Sequence, residues 1–484
     1  MRTWCAAGLL ASSVVPWMAF PFGCGAGSGG HASESDAAVE GSSGDGTTAR
    51  PDGEGGAHGD GGTDASADQT SEAAAVTPTV MPMGNALNAG ALAVIVNADD
   101  PVSVAVGAYY QQKRKLPAAN VVSVHVPAGA NITSAQFATV QSAVDAALPA
   151  GIQALALSFT QPYEVDGMSI TSAFAFGYDA KWTNTTGGAC GVTAQNPYFD
   201  TDDPAPYTNL QMRPTMMLAG ASQADVEALV DRGVAADDTH PDGGAYMVIT
   251  SDAVRSVRSF EFEELAASWD PATGVNCVIQ DNSDGGSSDA LTGKKDVLFY
   301  FTGLASVPDI DADTYLPGAF ADHLTSFGGQ VPTSGQMSAV AWLKVGATAS
   351  FGTVVEPCNY TEKFPDPSIA VPRYFQGATA VEAYWKSVQW PGEGLFIGDP
   401  LAAPWRSPVV TFQNGTLTIK TSALKPGAAY RLEGGPSATG PFSVVQGGIS
   451  TTKYDYVTIT VANAKDAFYR IVLDVDGGAD AGGG

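Results

Sequence analysis

Asp322, His323 and Ser326 stand close together in the run Ala319-Phe-Ala-Asp-His-Leu-Thr-Ser. A carboxylate, an imidazole and a hydroxyl are the parts of a relay that activates a nucleophile. The surrounding pattern predicts a helix over residues 317–325. On a helix, adjacent side chains point about 100° apart. Asp322 and His323 would therefore diverge, while His323 and Ser326, three apart, would share a face. The chemistry would be hydrolysis of a peptide or ester, with His323 carrying the proton, Ser326 attacking, and Asp322 orienting the imidazole or merely capping. The alternative is structural: Asp322 pairs locally, His323 is a hydrogen-bonded core residue, and Thr325-Ser326 ends the helix.

Asp309, Asp311 and Asp313 alternate along the chain, so in an extended loop they would fall on one side and could hold Ca²⁺ with backbone oxygens. The glycine and terminal glutamate of an EF-hand loop are missing, and Asp281 with Asp284 is an equally loose set. In so acidic a chain a solvated loop is the alternative, and no other cofactor is expected. There is no Walker motif, no HExxH, no paired CxxC, and no GxGxxG after the first strand. Beyond Cys5 and Cys24, the cysteines are Cys190, Cys277 and Cys358. In an exported protein two of the three are expected to pair, and Cys190 with Cys358 is the favoured choice. A reactive thiol at one of them is the other reading. At Cys358 the neighbouring Glu356 would oppose a thiolate, although Lys363 is close.

These residues must be positioned by the stretch 296–405, in which each apolar run is closed by glycines or a short polar knot. That is how a buried parallel sheet reads when its strand ends present a site. Upstream, LAVIV at 92–96, NVVSVHV at 120–126 and a third apolar run at 152–159 alternate with helical patterns. Asp100-Pro101 marks one helix start, and Thr133 with Gln136 is a capping box for the next. Such alternation implies right-handed crossovers. The expected class is α/β, with a mostly parallel sheet flanked by helices. The loops Thr302–Pro308, Leu324–Gly329 and Ser350–Cys358 would converge at its carboxyl edge, where open α/β sheets place ligands. After Trp405 the period changes to two, and Asn414-Gly415 sits between two alternating runs as a type I′ hairpin signal. Residues 406–475 therefore read as a small antiparallel β-sandwich of fibronectin-like size, ending in Phe468-Tyr469-Arg470.

The 484 residues carry a net charge of −27, which argues against nucleic acid or an anionic membrane surface as partner. Arg2, a short apolar run broken by Pro16 and Pro21, and Phe22-Gly23-Cys24 resemble a secretory signal over residues 1–24 whose Cys24 takes a lipid. Between His31 and Ala75 ten acidic residues face the single base Arg50. Residues 25–90 are thus expected to be a disordered acidic linker between that anchor and a core domain over 91–405. Residues 476–484 read as a disordered tail.

Several segments resemble an uncharacterised family of exported bacterial proteins from genomes that carry the exosortase sorting system. They are VNADDPVSVAVGAYYQQKRKLPAANVVSVHVP at 96–127, DVLFYFTGLASVPDIDADTYLPGAFADHLTSFGG at 296–329, GATASFGTVVEPCNYTEKFP at 346–365 and EAYWKSVQWPGEGLFIGDPLAAP at 382–404. That resemblance implies export and no particular activity. The core order is also similar, more loosely, to gingipain-like and caspase-like cysteine peptidases. Gly303 ends the first strand, Gly346-Ala347-Thr348 matches the Gly-Ala strand, and Gly398-Asp399-Pro400 matches the last. That family implies a catalytic His after the first strand and a Cys after the next. Here Thr302-Gly303-Leu304 and Ser326-Phe327-Gly328-Gly329 stand at those places. Two functions follow. One is an exported, lipid-anchored envelope or surface protein, or a secreted one, that binds an envelope or extracellular ligand without catalysis. The other is a hydrolase with a non-standard site at Asp322, His323 and Ser326.

Overall fold

The helix starts form where local hydrogen bonding demands them. In the computed structural model, which describes residues 77–83, 87–183 and 191–475, the Asp100 side chain accepts the Val102 N–H and Pro101 opens the helix Pro101–Arg114. Thr133 and Gln136 exchange both capping-box bonds at the start of Ser134–Ala147, and Thr379 with Glu382 does the same before Ala380–Ser387. Cys24, Cys190, most of the acidic linker and the tail 476–484 lie outside the described residues. No helix among the described residues is long and apolar enough to cross a membrane.

The fold is α/β around a ten-stranded sheet. Its strands run, edge to edge, Val275–Asp281, Gly243–Ile249, Val297–Gly303, Tyr315–Leu324, Ala349–Thr353, Gly394–Gly398, Thr215–Met217, Ala154–Leu157, Leu92–Asn97 and Val121–Val124. Every neighbouring pair is parallel except Ala349–Thr353 with Gly394–Gly398, which is antiparallel. The sheet is therefore two parallel halves that point opposite ways. Their carboxyl ends open on opposite edges. Strands such as Leu92–Asn97 and Val297–Gly303 are buried along their whole length because helices and loops cover both faces.

Three expectations change. Residues 317–325 are not helical: Tyr315–Leu324 is a central strand. The helix-like start at Pro317-Gly318 is a bulge, where the register with Val297–Gly303 jumps from Val297↔Tyr315 to Phe299↔Phe320. Gly318 has φ 92° there. A short apolar run buried on both sides carries no period that separates strand from helix. Residues 270–295, read as a polar loop, contain the edge strand Val275–Asp281, whose alternating exposure fits one covered face. The linker expected to extend to residue 90 is ordered before that point, since Thr79–Val80 pairs parallel with Phe468–Tyr469.

Past the α/β body, Val409–Gln413, Thr416–Thr421 and Val457–Val461 form one antiparallel sheet. Tyr430–Gly435, Ser443–Ile449 and Phe468–Leu473 form another, with Thr79–Val80 on its edge. Leu417, Ile419, Leu432, Ile459 and Ile471 fill the space between them. Asn414 and Gly415 both take positive φ, 51° and 75°, as a type I′ turn requires. The ring of Tyr456 packs on Phe375 of the body at 5.2 Å between centroids.

Candidate functional site

A strand sends successive side chains to opposite faces, and this decides the geometry of Asp322, His323 and Ser326. Asp322 points to the face covered by the helix Ser259–Ser268 and meets Arg258, with Nη2 to Oδ1 at 2.8 Å and both side chains about 1% exposed. The guanidinium donates to the carbonyls of Thr302 (2.6 Å) and Pro365 (3.0 Å). Among the described residues neither carboxylate oxygen of Asp322 has a hydrogen bond of good geometry, so the contact with Arg258 is chiefly ionic. Burial, partly offset by Arg258, pushes the Asp322 carboxyl up to about 6. Beside it, burial and the Asp366 carboxylate push Glu261 up to about 9.

His323 points the other way. Its Nδ1 accepts from the Trp342 indole N–H at 3.0 Å, and its Nε2 lies 3.1 Å from the Met337 carbonyl. That pattern assigns the neutral imidazole with the proton on Nε2. Burial drives its pKa down to about 3. Both ring nitrogens are engaged, and neither bonds Ser326. Ser326 is half-buried in the turn after the strand, where its carbonyl accepts from Thr353 Oγ1 at 2.9 Å. The three residues are neighbours in sequence that the strand separates.

The carboxyl edge above them is closed by backbone. A Cβ at Gly352 would lie 2.3 Å from the Gly328 carbonyl carbon, and one at Gly303 would lie 1.8 Å from the Arg255 oxygen. These glycines allow loops to touch rather than leaving N–H groups free around a crevice. The carboxylates of the calcium reading are not grouped as a metal site among the described residues. Asp309 and Asp311 are exposed, whereas Asp313 is buried and accepts the Lys294 N–H at 2.7 Å. Among the described residues no three His, Cys, Asp or Glu side chains are grouped to hold a metal. Asp281 and Asp284 each accept an N–H two residues on, from Ser283 and Gly286. Cys277 is a free, largely buried thiol, pushed up to about 12 by burial. Cys358 is not a free thiol, and its favoured partner Cys190 lies outside the described residues. Lys363 is bound to Glu393 at 2.8 Å, so its charge is spent away from Cys358.

Gly398-Asp399-Pro400 serves the body rather than a substrate. Asp399 accepts from Tyr110 Oη (3.0 Å), from Arg114 Nε (3.0 Å) and Nη2 (2.5 Å), and from the Leu401 N–H (3.1 Å). Arg114 reaches on to Asp237 at 2.5 Å. This ties two helices and the last core strand together. It also explains Gly233, where a Cβ would lie 2.0 Å from Asp399 Oδ2.

One solved structure, titled "Structure of Protease", is similar to this chain with a TM-score of 0.34 and 11% sequence identity. The match covers 78% of this chain and 98% of that one. No family model matches the sequence, and no curated protein does.

Among the described residues two cavities offer places for a ligand. One, of about 290 Å³, sits at the carboxyl ends of Leu92–Asn97, Ala154–Leu157 and Thr215–Met217, between Asp100 and Ser222 at two helix starts. The buried polar group in its wall, Ser158 Oγ, is already bonded to Ser103 Oγ at 2.9 Å and to the Ile95 carbonyl at 3.1 Å. The larger, of about 460 Å³, lies between the body and the C-terminal sheets. Lys386, Glu382 and Arg373 line it from the body, and Tyr430, Ile471 and Leu473 from the sheets. Sequence reasoning missed this place. The signal was there in Glu382 and Lys386, two charges four apart in a helix otherwise apolar on every side, a pattern that marks buried charge.

Proposed function

We propose that this protein is an exported, lipid-anchored envelope protein that binds a ligand and does not hydrolyse one. It would carry that role on a scaffold whose strand order is like that of caspase-like peptidases but without their His/Cys pair. The observation that supports the reading is the state of His323. A general base needs a free nitrogen within reach of the nucleophile and a pKa near the working pH. His323 has both nitrogens engaged, is buried, and faces away from Asp322.

The full chain, screened against fluorogenic peptide and ester libraries, should show no turnover above a heat-denatured control. Turnover that disappears in Ser326→Ala with the circular dichroism spectrum unchanged would overturn the reading in favour of a hydrolase. The anchor rests on the apolar run ending in Gly23-Cys24 and on the acidic segment behind it. Metabolic palmitate labelling should mark the wild type and leave Cys24→Ala unlabelled; an unlabelled wild type found only in the medium would mean plain secretion.

A further inference from the structure

We propose that the 460 Å³ cavity between the α/β body and the C-terminal sheets takes a small organic monoanion, a carboxylate on an apolar body, with its carboxylate paired to the Lys386 ammonium. This rests on the binding reading and names its ligand class. The volume is within the range of small-molecule sites.

Charge accounting points to Lys386. Of the other charged groups lining the cavity, each already has its partners. Arg373 is held by Asp200 at 2.6 Å and by Asp202. Lys425 meets Asp202 at 3.2 Å. Asp203 accepts from the Ala205 N–H at 2.8 Å and from Asn209 at 3.0 Å. Glu382 accepts from the Thr379 N–H at 2.9 Å, from Thr379 Oγ1 at 2.7 Å and from the Leu87 N–H at 3.1 Å. Lys386 is 7% exposed, and among the described residues its ammonium has no ion pair or hydrogen bond. Its contact is the face of Tyr198, 4.8 Å from the ring centroid. A cation largely held out of water, against a ring face and near the Glu382 carboxylate without bonding it, is costly, and an anion placed against it lowers that cost. Burial also pushes its pKa below the ordinary lysine range, which an anionic ligand would reverse.

The rest of the wall selects among anions. One unspent cation among three acidic side chains suits a single negative charge, so a phosphate dianion is disfavoured. Part of the wall is apolar, formed by Ile471 and Leu473 with Met83 and Ala378. It would cover a hydrocarbon body.

Sodium octanoate is the probe, titrated into the full chain by calorimetry, with octylamine and inorganic phosphate as controls. Octanoate should bind, Lys386→Met should weaken it at least tenfold, and neither control should compete. Wild type that fails to bind octanoate, a Lys386→Met variant that binds it equally well, or phosphate that binds more tightly than octanoate would each overturn the proposal. Should Lys386→Met not fold, reductive methylation of the wild type read by mass spectrometry decides. Octanoate must protect Lys386, and unchanged modification overturns the proposal. Failure here leaves the non-hydrolytic reading standing, because that reading depends on His323 and is tested by turnover.

Discussion

Asp399 and Asp322 are both sealed carboxylates beside an arginine, one in each half of the sheet, yet they are held in opposite ways. Asp399 collects bonds from Arg114, Tyr110 and the Leu401 backbone. Asp322 lies 2.8 Å from Arg258 but has no hydrogen bond of good geometry among the described residues, and that guanidinium donates to two backbone carbonyls. Burial alone therefore does not say what an acid does. A carboxylate whose lone pairs meet several donors is a structural clamp. One that burial strips of water is pushed toward its neutral form even beside an opposite charge.

The largest effect should come from the clamp. Asp399→Asn leaves Arg114 buried against a neutral amide and should cost about 3–5 kcal/mol, read as a lowered urea midpoint. A loss under about 1 kcal/mol would mean that Asp237 alone holds Arg114.

Next in size is Glu261, the most strongly raised carboxyl beside Asp322. Its folded pKa of about 9 lies above its ordinary 4.5, so the folded protein holds a proton that the unfolded chain releases. The stability this contributes is fully present below about pH 4.5 and is lost as pH rises through about 9. Glu261→Gln should therefore stabilise the protein by about 1–2 kcal/mol near pH 8 and flatten the dependence of its melting temperature between pH 6.5 and 9. That window avoids His323, whose depressed pKa of about 3 acts with the opposite sign below its ordinary 6.5. Parallel curves for the two proteins would show that Glu261 stays ionised in the fold.

The smallest effect should be Asp322→Asn, within about 1 kcal/mol of wild type at pH 7, since relief of desolvation and loss of the contact with Arg258 nearly offset. A loss as large as that of Asp399→Asn would erase the contrast between the two acids.

Much of the architecture was legible because its signals are local. Asp100-Pro101, the Thr133/Gln136 capping box and Asn414-Gly415 each specify a helix start or a turn through bonds made within a few residues. The parallel α/β class and the later change to short antiparallel strands followed from periodicity. The strands Tyr315–Leu324 and Val275–Asp281 were not legible in the same way. Whether a short apolar or mixed run becomes helix or strand depends on the partners it finds across the sheet. The helical face that His323 and Ser326 were expected to share went with that misreading, because on a strand residues three apart look to opposite faces. Lys386 is the converse case, a charge visible in an apolar helix whose importance depends on what stands around it.

The amino-acid sequence determined where elements begin, which residues are apolar, and how many charges must be accommodated. Tertiary structure alone decided that Asp322 meets Arg258 while His323 meets Trp342 and Met337, that glycine loops close the carboxyl edge, and that Lys386 is left beside a cavity. The reason is physical. Capping and turn bonds act within a few residues, whereas strand direction, desolvation and charge pairing arise between residues distant in the chain and exist only once the sheet has assembled.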